Sequence, residues 1–188
     1  MKTQILAVVL AVLPAASWAV QGKSVSDQLV LGKDGVRIVV DSADMILESS
    51  TAANASYRVD FVSESHGLFS TKPSQKAYDG STASYDRKTG VLNIHAEDGL
   101  TARTRITVPP GAALAVSIKN GKASIGARSG KTTVEMDNGL LSFDASKVPA
   151  TSCYQLIVDN GLTRGRKGRI CANPTAVFHL LNGIATAE

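Results

Sequence analysis

Along the last third of this chain, apolar and polar residues alternate at period two on both sides of a recurring Asn-Gly pair. The pairs are Asn120-Gly121, Asn138-Gly139, Asn160-Gly161 and Asn182-Gly183, spaced 18, 22 and 22 residues apart. Four and two residues before each Asn stand Val116 and Ile118, Val134 and Met136, Leu156 and Val158, and Phe178 and Leu180. Three and five residues after it stand Ala123 and Ile125, Leu141 and Phe143, Thr163 and Gly165, and Ala185 and Ala187. Alternation of this kind is the mark of a strand with one buried face. Asn and Gly tolerate positive φ, so each pair is a natural two-residue corner. The third unit is the weak one, because Thr163 and Gly165 replace hydrophobes.

Two architectures share the pattern. In a β-solenoid each Asn-Gly pair is a corner stacked on the next, and the Asn side chains can hydrogen-bond in a ladder. In an antiparallel meander or sandwich each pair is a hairpin tip. The opposite turns, at 126–130, 144–151 and 164–174, vary in length while the Asn-Gly side stays constant. That asymmetry favours the solenoid. Upstream, Val36, Ile38 and Val40 alternate, as do Tyr57, Val59 and Phe61, then Leu92, Ile94 and Ala96, but no repeat is evident. Leu100, Ala102, Thr104, Ile106 and Val108 are expected to point inward and Arg103 and Arg105 outward, with Pro109-Pro110-Gly111 ending the strand. Residues 63–87 read as a long polar surface excursion, and no helical periodicity of ten residues or more follows residue 19. The expected fold class is all-β, in one domain over 20–188.

Residues 1–19 read differently. Lys2, the apolar run Ile5 to Leu13, and Pro14 followed by Ala15-Ala16-Ser17-Trp18-Ala19 form an expected secretory signal cleaved after Ala19. The apolar run is far short of the roughly 20 residues needed to span a bilayer, so no transmembrane segment is expected. No Cys stands at the cleavage site, which points away from a lipid anchor. The destination is periplasmic or secreted. In that setting the only two cysteines, Cys153 and Cys171, are expected to form a disulfide. Closing an interval of this size contributes about 3 kcal/mol when unstrained.

Charge is unevenly placed. Residues 20–100 carry 8 basic and 11 acidic side chains, whereas 101–188 carry 11 and 5. The basic half suits an anionic partner, such as an acidic glycan or lipopolysaccharide, and Arg164, Arg166, Lys167 and Arg169 form the candidate anion-binding patch. No aromatic lies among them, which argues against nucleic acid. Catalytic, cofactor and metal sets are absent from the pattern. His66, His95 and His179 lack ligand spacing, His95 and Glu97 belong to a wet strand face, and Glu135 and Asp137 flank a corner as solubilising residues.

The run Arg105-Ile-Thr-Val-Pro-Pro-Gly-Ala-Ala-Leu-Ala-Val-Ser-Ile-Lys-Asn-Gly-Lys-Ala-Ser-Ile125, continued by Thr133-Val-Glu-Met-Asp-Asn-Gly139, resembles bacterial adhesin-type domains of the DUF4097 family. Those domains carry a Val-Pro-X-Gly step followed by repeated strand-Asn-Gly-strand units. The resemblance implies a β-solenoid-like fold and, by analogy, adhesion. The expected function is therefore an exported non-enzymatic scaffold or binding module that contacts an anionic surface or envelope component. Its alternative is an envelope regulatory or assembly protein that docks a partner through a solenoid edge, with the unit from Val177 to Glu188 as the terminal rung. A glycan-active enzyme comes last.

Overall fold

The computed structural model describes residues 22–51, 54–63, 73–146, 153–165 and 173–187. Among the described residues, ten strands and one short helix follow one another. They are β1 (Lys23–Leu29), β2 (Val36–Ser49), β3 (Ala55–Ser63), α1 (Gln75–Gly80), β4 (Thr82–Asp86), β5 (Val91–His95) and β6 (Leu100–Val108). Then come β7 (Leu114–Ile125), β8 (Thr132–Phe143), β9 (Tyr154–Gly165) and β10 (Ala176–Ala187). The fold is all-β, as expected, and forms one open sheet ordered β1-β3-β6-β2-β7-β8-β10-β9. β5 pairs with β2, and β4 with β5.

The Asn-Gly pairs lie inside strands, not between them. β7, β8, β10 and β9 run parallel in register, Asn on Asn and Gly on Gly. Positions two before and three after each Asn are five residues apart and would face opposite sides of a straight strand. In β7, β8 and β10 both are buried or nearly so, Ile118 with Ala123, Met136 with Leu141, and Leu180 with Ala185. Each strand therefore turns at its corner into two arms that face a common core. Phe143 at the end of one arm stacks on Phe178 at the start of another, with ring centroids 4.2 Å apart.

Glycine is required at the Asn-Gly corners of β7, β8 and β10 for two reasons. At Gly121, Gly139 and Gly183 φ is +132°, +144° and +142°, a region that side chains disfavour. A Cβ on Gly139 would also collide with the carbonyl oxygen of Gly121, and one on Gly183 with that of Gly139. The Asn residues form the expected ladder. Asn138 Nδ2 donates to Asn120 Oδ1 at 3.1 Å, Asn182 Nδ2 to Asn138 Oδ1 at 3.0 Å, and Asn160 Nδ2 to Asn182 Oδ1 at 3.2 Å.

Three features depart from the sequence reading. First, β10 inserts between β8 and β9, so the terminal rung is β9 and not the unit from Val177 to Glu188. The physical reason lies in the weak third unit. Thr163 and Gly165 have nothing apolar to bury and are exposed at the sheet edge, whereas Leu180, Ala185 and Ala187 of β10 are buried. Second, β2 is itself a bent rung. Ile38 and Val40 precede Ser42-Ala43, Met45 and Leu47 follow, and all four apolar residues are buried. β2 pairs in parallel with β7 along both arms, Ser42 opposite Asn120. Third, the polar stretch 63–87 contains α1 and β4. Ser74 caps α1 by accepting from the Ala77 N–H at 3.2 Å, and Tyr78 plugs into the core.

The far end of the sheet is antiparallel, β1 on β3 and β3 on β6. In β6 the residues Leu100, Ala102, Thr104, Ile106 and Val108 are buried while Arg103 and Arg105 are exposed, as the alternation predicts. Opposite the corners, Arg128 turns inward from the β7–β8 loop. Its guanidinium donates to the carbonyls of Ala112 and Pro109 and to Thr132, and burial brings its pKa down to about 10. Nη1 of Arg128 has no hydrogen-bond partner among the described residues, beside a cavity of about 10 Å³. That space holds one water at most.

Candidate anion-binding face

The strand pairing assembles two rows of outward side chains across the arms that follow the corners. The register places Asp60, Arg103, Asp44 and Lys122 side by side on β3, β6, β2 and β7. The same row continues through Leu140, Ile184 and Leu162 on β8, β10 and β9. A second row begins with Arg58, Arg105 and Ile46 and continues as Ser124, Ser142, Thr186 and finally Arg164. The sheet is dished here into an open concavity of about 1050 Å³. The half over β3, β6, β2 and β7 is mostly charged, and the half over β8, β10 and β9 is apolar and hydroxyl-bearing apart from Arg164.

The cations differ in how well they are matched. Arg58 Nε lies 3.0 Å from Asp60, which holds that carboxyl below the usual carboxylate range. Arg105 Nε approaches Glu48 at 3.9 Å. Arg103, Lys122 and Arg164 make no ion pair or hydrogen bond among the described residues. A ligand anion that engages these three has no existing ion pair to displace, whereas at Arg58 and Arg105 it competes with Asp60 and Glu48. Exposed apolar surface gathers on the same face. Ile46, Leu140 and Leu162 are 44%, 45% and 56% exposed, three of the five large hydrophobics that are exposed among the described residues.

The arms before the corners carry a different surface. His95 Nδ1 lies 2.9 Å from Asp41 Oδ2, Lys119 Nζ 2.7 Å from Asp41 Oδ1, and His95 Nε2 3.6 Å from Glu97. The Lys119 hydrogen bond, then that from His95, lowers the Asp41 pKa, and the Asp41 contact raises that of His95. Glu135 and Asp137 are exposed on this face, and His179 Nε2 meets Asp159 at 3.0 Å. Among the described residues no group of three His, Cys, Asp or Glu side chains is placed to hold a metal ion.

Of the expected anion-binding residues, Arg164 is exposed within β9, at the far end of the second row, instead of in a loop. Arg166, Lys167 and Arg169 lie outside the described residues, as do His66 and the signal segment 1–19. Cys153 is buried just before β9, and Cys171 lies outside the described residues. The corner residues come together in one line, in the order 120, 138, 182, 160. Sequence reasoning missed the face built around Arg103 and Lys122. Its only local signal was the outward phase of Arg103 and Arg105, because the neighbours that complete it come from β2, β3 and β7.

No protein family matches the chain, and no curated protein matches it. Among solved structures, it is similar to a candidate cell adhesion protein from Clostridium sporogenes ATCC 15579, at 10% identity and a TM-score of 0.47, over 89% of this chain and 99% of that one. Candidate adhesins from Parabacteroides distasonis ATCC 8503 and Parabacteroides merdae ATCC 43184 align at 8% and 9% identity, each with a TM-score of 0.27. They too cover 89% of this chain, and 98% and 97% of their own. At such scores the likeness carries no functional argument. No helix among the described residues is long and apolar enough to cross a membrane.

Proposed function

We propose that this protein is an exported, non-enzymatic binding module of the adhesin-like kind, which presents its dished face to an anionic surface or envelope component. The observation that carries this reading is the set of unmatched cations, Arg103, Lys122 and Arg164, in one concavity on a rigid stack of rungs. The opposite sign of the other face, with Asp41, Glu97, Glu135, Asp137 and Asp159, orients the molecule toward negative charge. Export rests on the segment ending at Ala19, and the Val108-Pro-Pro-Gly111 step with its Asn-Gly frame supports kinship with the DUF4097 domains. Retention on immobilised polygalacturonate tests the proposal. Retention is expected to fall steeply between low and physiological salt, and to be lost in Arg103→Glu/Lys122→Glu but kept in Glu135→Gln/Asp137→Asn. Equal retention of both variants would refute it.

A second reading has one observation in its favour. Among the described residues the outer rung β9 pairs with a strand on one side only, and residues 161–165 are exposed. An unpaired edge of this length accepts a strand from a partner. Val158→Pro removes one edge N–H, and loss of a specific partner in that variant alone would select edge docking.

A further inference from the structure

We infer that the dished face binds a single anionic amphiphile laid along the row from Lys122 to Leu162, with its acidic head at Arg103 and Lys122 and its apolar chain on Leu140, Ile184 and Leu162. The inference rests on the anion-binding reading above and adds the chemistry of the ligand. A purely ionic ligand leaves the apolar half of the concavity unexplained. On three adjacent rungs, the position two residues past the corner is Leu140, Ile184 and Leu162, whereas the same position in β2 and β7 is Asp44 and Lys122. Polarity changes once along the row, between Lys122 and Leu140, and does not alternate thereafter. A ligand complementary to that row has one charged end and one apolar end.

Dimension and shape narrow the choice. Adjacent strands are about 4.8 Å apart, so Lys122 to Leu162 spans about 14 Å over three spacings. That length lays out one alkyl chain but not a folded protein surface. Ser124, Ser142 and Thr186 run parallel to the apolar row and form a hydroxyl wall beside it. Arg103 and Lys122 flank Asp44, and no hydrogen bond ties Asp44 to either among the described residues. An acidic head can therefore bridge the two cations without breaking an existing pair. A bilayer is a poorer occupant. Apolar residues that insert into a membrane stand on protruding points, whereas Leu140 and Ile184 line a concavity.

The probe is dodecyl phosphate, held below its micellisation concentration and titrated calorimetrically into the full-length exported protein. Saturable binding at one molecule per chain is expected. Inorganic phosphate and dodecyl maltoside should each bind at least ten-fold more weakly, because each lacks one end. Leu140→Ser/Ile184→Ser and Arg103→Ala/Lys122→Ala should each weaken dodecyl phosphate at least ten-fold. A third variant, Glu135→Gln on the other face, should not. Unfolding midpoints separate lost contacts from lost structure. Should Ile184→Ser disturb folding, the single variant Leu140→Ser carries the apolar arm. Equal binding of either control, indifference of the face variants, or binding to anionic vesicles without binding of the monomer would each overturn the inference. If polygalacturonate is retained while dodecyl phosphate is not, the amphiphile falls and the binding module stands. If neither binds, both fall.

Discussion

Replacing Leu180 with Ala tests the rung order most directly. Leu180 is fully buried on the first arm of β10, in register with Met136 of β8 on one side and Val158 of β9 on the other. Truncation removes three carbons from a site that neighbouring rungs hold open on both sides. The lost transfer and the residual cavity together cost about 2–5 kcal/mol. The counterpart is Thr163→Ala on β9. It occupies the position that holds Ala123, Leu141 and Ala185 in the other Asn-Gly rungs, all buried, yet it is itself exposed. Its removal is expected to change stability by less than about 0.5 kcal/mol. Urea unfolding followed by far-ultraviolet circular dichroism reads both. With a slope of about 1–3 kcal/mol/M, Leu180→Ala should lower the midpoint by roughly 1 M or more, with the slope unchanged. Thr163→Ala should leave the midpoint within error. If Thr163→Ala cost as much as Leu180→Ala, or Leu180→Ala cost under about 1 kcal/mol, β9 could not be the outer rung and β10 could not be enclosed.

Gly139→Ala should destabilise by at least 2 kcal/mol (order of magnitude), since it adds left-handed strain to a collision with the Gly121 carbonyl; urea melts would show it, and a neutral result would mean that the corners do not stack. Oxidised Cys153–Cys171 should run as an intramolecular bridge in mass analysis of the untreated protein, and its reduction should cost about 3 kcal/mol; an untreated protein carrying two titratable thiols would refute the pairing. The His95 pKa is raised by Asp41, so its contribution is complete below the ordinary value of 6.5 and is lost as pH rises through the higher folded value. The Asp41 pKa is lowered, so its side of the pair is lost only as pH falls through the acid range. The stability difference between the natural protein and His95→Gln should thus be largest near pH 5–6, at a few tenths of a kcal/mol, and decline as pH rises beyond the ordinary histidine range. A difference that grows with pH would be the wrong sign.

Particular residues mark how far the sequence could be read. The phase of Val116, Ile118, Ala123 and Ile125 about Asn120-Gly121 depends only on local alternation and turn chemistry, and it held in β7, β8 and β10. The same frame exists about Ser42-Ala43, but without the Asn-Gly pair it had no marker. His95 and Lys119 are 54 and 78 residues from Asp41 along the chain, and Arg103 and Lys122 are 59 and 78 from Asp44. Only strand pairing makes them neighbours.

By itself, then, the sequence determined the all-β class, the Asn-Gly corners, the inward and outward faces of the arms of β7, β8 and β10, and the surplus of basic side chains in the second half. These follow from interactions within a few residues of each position. The tertiary structure alone decided that β10 enters between β8 and β9, that β2 is the first rung, and that Arg103, Lys122 and Leu140 share one dished face. Strand order is a competition among whole arms for burial, and β9, with Thr163 and Gly165 at its inward positions, has the least apolar surface to bury and so takes the edge.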